Sequence, residues 1–144
     1  MGIEIRAALP EDAPTLSALM GELTGQPPQL ALLIPHLMEL ATDPSYFLAV
    51  ALVDGLVAGT AMGIRCRDIN GDLRPFLVIE NVVVSPAYRR LGLGKRLMER
   101  IENWGRAQKC SYAMLVSGAP RINAHRFYEA IGYSREAGFK KRGL

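Results

Sequence analysis

The chain has 144 residues, 49% of them hydrophobic and 22% charged, a profile typical of one soluble globular domain spanning residues 1–144. Its two cysteines, Cys66 and Cys110, match neither a metal-ligand spacing nor a disulfide framework, so we expect no metal and a reducing, cytoplasmic location. No apolar segment is long and unbroken enough to span a bilayer or to act as a targeting signal, so we expect no membrane partner.

The net charge of +3 is unevenly divided along the chain. Residues 1–72 carry three basic and nine acidic side chains, a balance of −6, whereas residues 73–144 carry fourteen basic and five acidic ones, a balance of +9. This asymmetry indicates an anionic ligand on the basic half, which nucleic acid or a phosphorylated cofactor would satisfy. A solvated surface with uneven charge is the alternative that needs no ligand.

The N-terminal part predicts one strand and two helices. Alternating apolar residues over 3–9 indicate the strand, and Asp12 fits the N-cap of a first helix that Gly25 ends. A second apolar helix follows over residues 30–41, where Pro35 is expected to kink or divide it.

Three consecutive antiparallel strands are predicted next, over residues 46–53, 56–67 and 73–84. Asp54-Gly55 and Asn70-Gly71 separate these runs, and both dipeptides are typical of two-residue hairpin turns.

The C-terminal part predicts further helices and strands. They are a helix over 92–109 with Leu97, Ile101 and Trp104 on one face, a buried strand over 111–116, a short helix over 123–131 ended by Gly132, and a final strand or strand pair over 133–141. The whole order, β-α-α-β-β-β-α-β-α-β, indicates an α/β fold with a mixed sheet flanked by helices.

The turn between the third antiparallel strand and the following helix has the composition of an anion site. Backbone N–H groups at a helix N-terminus lack internal partners, and the helix dipole adds positive potential there. Gly92 and Gly94 let a ligand approach the backbone closely. Four basic side chains surround these glycines: Arg89, Arg90, Lys95 and Arg96.

Two other phosphate-binding motifs do not fit this turn. The Walker motif requires glycine where Arg89 stands and serine or threonine where Arg96 stands, and the dinucleotide fingerprint requires glycine at Leu97. Taken alone, the Gly-x-Gly pattern is also compatible with a helix start that binds nothing.

The wider pattern resembles a known family. Arg89-x-x-Gly92-x-Gly94 directly after a Val-Val-Val-x-Pro strand end resembles the acetyl-CoA motif of the GNAT superfamily of N-acetyltransferases. Residues 123–133, Asn-Ala-His-Arg-Phe-Tyr-Glu-Ala-Ile-Gly-Tyr, are similar to its second signature. The element order also fits that family across nearly the whole chain, although the N-terminal half resembles it only in this order. The resemblance implies a GNAT-like fold and an acyl-CoA-dependent N-acetyltransferase that uses acetyl-CoA and no metal.

The resemblance also implies positions for the cofactor. The pantetheine arm would lie along the strand end formed by Val82, Val83 and Val84, in a gap between splayed strands. Asn123 would contact the cofactor arm, and Tyr128 would place its hydroxyl near the thioester sulfur. The pyrophosphate would lie on the turn formed by Arg89, Arg90, Leu91, Gly92, Leu93, Gly94 and Lys95.

Glu80 is the candidate general base. An alkyl amine with a pKa near 10 is only about one part in a thousand neutral at pH 7, so a base must remove its proton. Glu80 is the only charged residue among the mainly apolar residues 76–84, and strict alternation places it on one face with Val78, Val82 and Val84. Desolvation on that face would make it a stronger proton acceptor. The alternative is that Glu80 faces solvent or pairs with Arg74.

Tyr128 is the candidate donor of a proton to the leaving thiolate. A tyrosine beside Phe127 on a short helix is, without the second motif, more typical of a hydrophobic core. His125 is expected on the exposed face of the same helix.

The acidic first half suggests that the acceptor, a small-molecule or protein amine, is cationic. The first two helices, which usually shape the acceptor site in the family, contain Glu11, Asp12, Glu22, Glu39 and Asp43. A non-catalytic acyl-CoA-binding regulatory module is the alternative function. Nucleic-acid binding is disfavoured because only Tyr88, Tyr112 and Trp104 are scattered among the basic residues. Homodimers are common in the family, so the resemblance implies that state as an option.

Overall fold

The computed structural model describes residues 1–144, which form two compact units, Met1–Met114 and Leu115–Leu144. The second unit contains α4 (Ile122–Ala130) as its one regular element. The first unit contains β1 (Ile3–Ala7), α1 (Ala13–Thr24), α2 (Leu30–Thr42), β2 (Tyr46–Val53), β3 (Leu56–Cys66), β4 (Phe76–Val84), α3 (Leu93–Ala107) and β5 (Ala113–Met114). None of the helices is both long and apolar enough to cross a membrane.

The sheet follows the chain, in the order β1-β2-β3-β4-β5. The first four strands are antiparallel to their neighbours, and β5 is parallel to β4, so the predicted mixed and mostly antiparallel sheet is confirmed. The turn between β2 and β3 is also as predicted, because Asp54 (φ +48°) and Gly55 (φ +83°) both adopt the left-handed conformation that a type I′ turn requires.

Helices cover both faces of the sheet in the first unit. On one face, Leu16 of α1 and Leu37 of α2 pack with Val50 and Leu52 of β2 in a buried apolar cluster. On the other face, α3 lies so close to β3 that a Cβ atom at Gly63 would be 2.8 Å from Ile101 Cγ2. Glycine is therefore required at that crossing.

Asp12 occupies the N-cap position of α1, but its side chain does not cap that helix. Its carboxylate instead accepts two hydrogen bonds from the Arg6 guanidinium, at 2.7 and 3.0 Å, and one from the Leu9 N–H at 2.7 Å. The predicted capping role is thus wrong, because the charged donor on β1 and the Leu9 amide engage both carboxylate oxygens. These interactions attach β1 to the start of α1.

Three other predictions need correction. Pro35 does not divide the second helix, since α2 is continuous from Leu30 to Thr42. Asn70-Gly71 does not form a two-residue turn, because β3 and β4 pair only up to Cys66 and Phe76 and residues 67–75 form a longer connection. β4 begins at Phe76 rather than residue 73, since Leu73 is left-handed (φ +64°).

The C-terminal strands are shorter than predicted or absent. The predicted buried strand over 111–116 consists only of Ala113–Met114, and none of the six residues is buried. No strand forms over residues 133–141, so the observed order ends at α4. That segment contains Gly138 and ends in two cations, Lys140 and Lys141, and its unit contains no strand. Gly132 (φ +102°) does end α4 as predicted.

Candidate active site

The backbone of the turn before α3 alternates in conformation. Arg90 (φ +66°) and Gly92 (φ +77°) are left-handed while Leu91 between them is not, an alternation that is typical of anion-binding concavities. The first hydrogen bond of α3 joins the Arg96 N–H to the Gly92 carbonyl at 3.1 Å. The amides of residues 93–95 therefore lie at the open end of the helix, where its dipole is positive.

The side chains at this turn differ in burial: one apolar side chain lies in the core, and four basic side chains are exposed. Leu93 is only 2% exposed and fixes the start of α3 in the core. The basic group, which comprises Arg89, Arg90, Lys95 and Arg96, is exposed. The turn therefore combines backbone donors with four exposed cations.

β4 has an open edge on the side of β5. The two strands pair only at Leu77↔Ala113 and Val78↔Met114, so β4 has no β5 partner from Ile79 to Val84. Val82, Val83 and Val84 thus lie on a strand whose backbone is paired on the β3 side alone. The open edge leads directly into the anion-binding turn.

A β-bulge interrupts β4 just after Glu80. Glu80 pairs with Met62 and Val83 pairs with Thr60, so that Asn81 and Val82 together oppose the single residue Ala61. Asn81 is left-handed (φ +56°), a conformation that costs of order 1–3 kcal/mol for a residue with a side chain.

The bulge changes which residues share a face with Glu80. Directly paired residues point to the same side, so Glu80 lies on the face of Met62, Thr60 and Val83. Val84 lies on the opposite face, where its Cγ2 is close to the position of a Cβ at Gly59 under α3. The prediction that Glu80 shares a face with Val84 is therefore wrong, because strict alternation fails at Asn81.

Glu80 is exposed, so the expected desolvation by apolar neighbours is not observed. The alternative pairing with Arg74 is not observed either. The Arg74 guanidinium donates to the carbonyls of Lys109 and Cys110, both at 3.1 Å. Glu80 is thus an accessible carboxylate on the α1–α2 face of the sheet.

A cleft of about 380 Å³ lies on the same face. We call it the α2 cleft, and its lining comprises His36, Glu39, Leu40, Asp43, Tyr46, Met62 and Ile64. Met62 is the residue with which Glu80 pairs, so the cleft lies one strand away from the candidate base. Two acidic side chains, Glu39 and Asp43, give the cleft negative potential at neutral pH.

The other acidic residues of the first two helices lie elsewhere. Glu11 and Glu22 are exposed and do not line the α2 cleft, and Asp12 is buried against Arg6. Arg6 holds the pKa of the Asp12 carboxyl below its usual range through the hydrogen bonds between them. Of the five carboxylates considered from the sequence, only Glu39 and Asp43 are available to a ligand in the cleft.

The second unit places Asn123 and Tyr128 on α4. Asn123 is exposed near the start of the helix, whereas Tyr128 is 8% exposed. The Tyr128 ring contacts Phe127 edge-on at 5.2 Å and Tyr133 at 6.1 Å between centroids. His125 is half-buried rather than exposed, because its Nε2 hydrogen-bonds with the Gly118 carbonyl at 2.9 Å.

Sequence reasoning missed the bulge residue and part of the cleft lining. Asparagine is depleted in strands and enriched in left-handed conformations, so Asn81 within a run of valine and isoleucine was a usable signal for a bulge. Tyr46 carried no comparable signal, because its position in the cleft depends on how α2 packs over β2 and β3.

Comparison with known proteins assigns the family. The sequence model of the Acetyltransferase (GNAT) family matches residues 15–133, which is most of the chain. The chain belongs to the GNAT acetyltransferase family. The resemblance in the two sequence motifs and the fold class predicted from the element order are both confirmed.

Curated and solved relatives agree with this GNAT assignment. An aminoglycoside N(6′)-acetyltransferase type 1 of Salmonella typhimurium is 27% identical over 86 residues, 58% of this chain and 59% of the relative. The match thus spans about three-fifths of the relative's length. A Trypanosoma brucei acetyltransferase is 25% identical with a TM-score of 0.85, covering 99% of this chain and 100% of its own. AAC(6′)-Iy, solved with a bisubstrate analogue of coenzyme A, shares the fold at 21% identity and a TM-score of 0.82, covering 99% and 100%.

Proposed function

We propose that this GNAT protein is an acyl-CoA-dependent N-acetyltransferase that transfers the acetyl group of acetyl-CoA to a primary amine. The observation that carries the proposal is the open edge of β4 leading into the anion-binding turn before α3. Together they suit an extended arm followed by a pyrophosphate. The aminoglycoside acetyltransferases among its relatives support the same chemistry. The family match crosses the boundary at residue 115, which supports one catalytic domain over 1–144.

The cofactor positions are part of the proposal. The pantetheine arm lies along Val82, Val83 and Val84, and Asn123 is proposed to contact the cofactor arm. The pyrophosphate accepts hydrogen bonds from the amides of the turn, with the basic group described above contributing charge-assisted hydrogen bonds of about 1.5–3 kcal/mol each. Acetyl-CoA is a co-substrate, and no step requires a metal.

The reaction removes two protons from the nitrogen of a primary ammonium and supplies one to sulfur. Glu80 takes the first proton, directly or through one water, and leaves the neutral amine. The amine nitrogen attacks the thioester carbonyl carbon, the C–N bond forms, and the C–S bond breaks. The second proton leaves the nitrogen to solvent as the amide forms, and Tyr128 supplies a proton to the departing thiolate. The products are the acetamide and free coenzyme A.

The acceptor in this proposal is a cationic small-molecule amine in the α2 cleft. The carboxylates of Glu39 and Asp43 line that cleft, and its position one strand from Glu80 suits an amine directed at the base. Since the curated relatives acetylate aminoglycosides, amines carrying further ammonium groups form the first panel to test.

Glu80→Gln tests the assignment of the base. The amide cannot accept the proton, so we expect kcat to fall about tenfold to a hundredfold at pH 7 while the Kd for acetyl-CoA stays within about twofold. Release of free thiol with an amine panel gives kcat, and calorimetry gives the Kd. Unchanged turnover would remove Glu80 from the mechanism, and absence of thiol release from the wild type would favour a non-catalytic acyl-CoA-binding module.

Tyr128→Phe tests the proton donor. Removing the hydroxyl while keeping the ring should lower kcat about tenfold or more, because the thiolate then leaves without a placed proton. The aromatic contacts with Phe127 and Tyr133 do not need the hydroxyl, so Tm serves as the control for packing. Normal turnover in this variant would indicate that Tyr128 is a core residue.

A further inference from the structure

Between Glu80 and the turn before α3, the chain contains one more residue than the stretch of β3 that pairs with it. Glu80 pairs with Met62, and the Ser85 N–H donates to the Ala58 carbonyl at 2.7 Å. Ser85 lies five residues after Glu80, whereas the partner positions on β3, Met62 and Ala58, are only four residues apart. One residue of β4 must therefore be accommodated outside the regular ladder.

Asn81 is the residue whose backbone accommodates the difference. Its φ of +56° is the only left-handed value in β4. Glycine adopts this region freely and asparagine more readily than most residues, whereas β-branched residues avoid it. All residues of β4 other than Glu80 and Asn81 are apolar. The one left-handed residue of the strand is thus one of its two polar residues.

Loss of the bulge would move the strand end by one residue. Val83 would then lie opposite Gly59, and side chains after Asn81 would exchange faces of the sheet. The present register is closely packed at that point, since a Cβ at Gly59 would lie 3.0 Å from the Val83 carbonyl oxygen and 3.3 Å from Leu97 Cδ1. Because β4 continues into the turn before α3, a slip would also change the distance from Glu80 to that turn.

We propose that Asn81 is a positioning residue that acts through its left-handed backbone. The bulge fixes the displacement between Glu80 and the cofactor-binding turn, and it keeps Val83 on the same face of the sheet as Glu80. This inference rests on the proposed function, in which Glu80 takes the amine proton and the turn holds the pyrophosphate of the acyl donor.

Three substitutions at Asn81 separate backbone conformation from side-chain chemistry. Asn81→Gly keeps the conformation and removes the amide, Asn81→Ala disfavours the conformation moderately, and Asn81→Val disfavours it strongly. Lys109 is the matched control, because it is also left-handed (φ +68°) but lies after α3 and away from Glu80. Lys109→Val therefore imposes a similar backbone penalty at a distant place.

We expect Asn81→Val to lower kcat by about tenfold or more, or about 1.4 kcal/mol in the barrier, with Asn81→Ala intermediate. Asn81→Gly and Lys109→Val should retain kcat within about threefold, and the Kd for coenzyme A should change less than kcat in every variant. Where Asn81→Val does not fold, Asn81→Ala against Lys109→Ala decides the comparison.

Amide hydrogen exchange supplies a readout independent of activity. The Ser85 amide should lose protection in Asn81→Val, since a slip removes its bond to Ala58, and should keep it in Asn81→Gly and Lys109→Val. Retained Ser85 protection and kcat in Asn81→Val would overturn the inference, as would an equal loss of kcat in Asn81→Gly or in Lys109→Val. An inactive wild type would contradict the proposed function, whereas Ser85 protection would still report whether Asn81 fixes the register.

Discussion

At the scale of single residues, the acidic side chains in and just after α2 differ in position from the acidic side chain of α1. Glu39 and Asp43 line the cleft, whereas Glu22 on α1 does not. Two of the nine acidic side chains in residues 1–72 therefore line a cleft that a ligand could enter. Overall composition could not distinguish these residues, because that distinction depends on which helix face meets β3.

Neutralising the cleft should weaken binding of a cationic acceptor. We expect Glu39→Gln and Asp43→Asn each to raise KM for a polyamine by up to about fivefold, as for an exposed ion pair, with kcat nearly unchanged. The effect should shrink at high salt because the charges are accessible. Steady-state kinetics measure it, with Glu22→Gln as the control, and a panel in which only neutral or anionic amines react would contradict the cationic acceptor.

At the scale of elements, the ion pair of Arg6 and Asp12 is the main polar link between β1 and α1. Asp12 is buried and Arg6 is partly exposed, so the pair is protected from solvent on one side only. By contrast, the pair of Glu129 and Arg135 is exposed on both sides. We therefore expect the pair of Arg6 and Asp12 to contribute to the free energy of unfolding, and the pair of Glu129 and Arg135 to contribute little.

Asp12→Asn should lower the free energy of unfolding by about 2 kcal/mol at pH 7, because it removes a charged partner from Arg6. The pKa of Asp12 is lower in the folded than in the unfolded state, so its contribution is complete above the unfolded value near 4. It is lost as the pH falls through the folded value. Urea denaturation at pH 7 and pH 3 should show a difference from wild type that is smaller at pH 3 than at pH 7.

Glu129→Gln is the matched control for this change, since it makes the same carboxylate-to-amide replacement in an exposed pair. We expect it to cost less than about 1 kcal/mol. Equal losses in the two variants, or a difference for Asp12→Asn that does not decrease between pH 7 and pH 3, would show that the ion pair is not the source of the stability.

The elements that sequence predicted well are those whose signals are local. The Asp54-Gly55 turn and the end of α4 at Gly132 depend on residues that adopt φ > 0, and the structure has them where predicted. The β4 faces could not be predicted by counting, because one left-handed residue changes the alternation. The segment over 133–141 was predicted as a strand, but no strand forms there.

At the scale of the whole molecule, the binding of an acyl donor should stabilise the folded chain. A ligand at a hundred times its Kd adds about 2.7 kcal/mol to the free energy of unfolding. For a chain of this size each kcal/mol raises Tm by roughly 2–4 °C, so coenzyme A should raise Tm by about 5–10 °C. Thermal denaturation with and without coenzyme A measures this shift.

Pantetheine is the control ligand, because it has the arm but lacks the pyrophosphate. We expect it to raise Tm much less at the same concentration, since the amides and cations of the turn before α3 would have no anion to bind. An equal shift with pantetheine would indicate that the turn contributes little and that the open edge of β4 provides most of the affinity.

The open edge of β4 has a consequence for how the protein behaves in concentrated solution. An unpaired strand edge can template the addition of a strand from another molecule, especially where its side chains are apolar, as in most of the stretch from Ile79 to Val84. A substrate arm bound along that edge would occupy the same backbone groups. In the proposed enzyme, the bound acyl donor therefore also blocks self-association through this edge, and its release exposes the edge again.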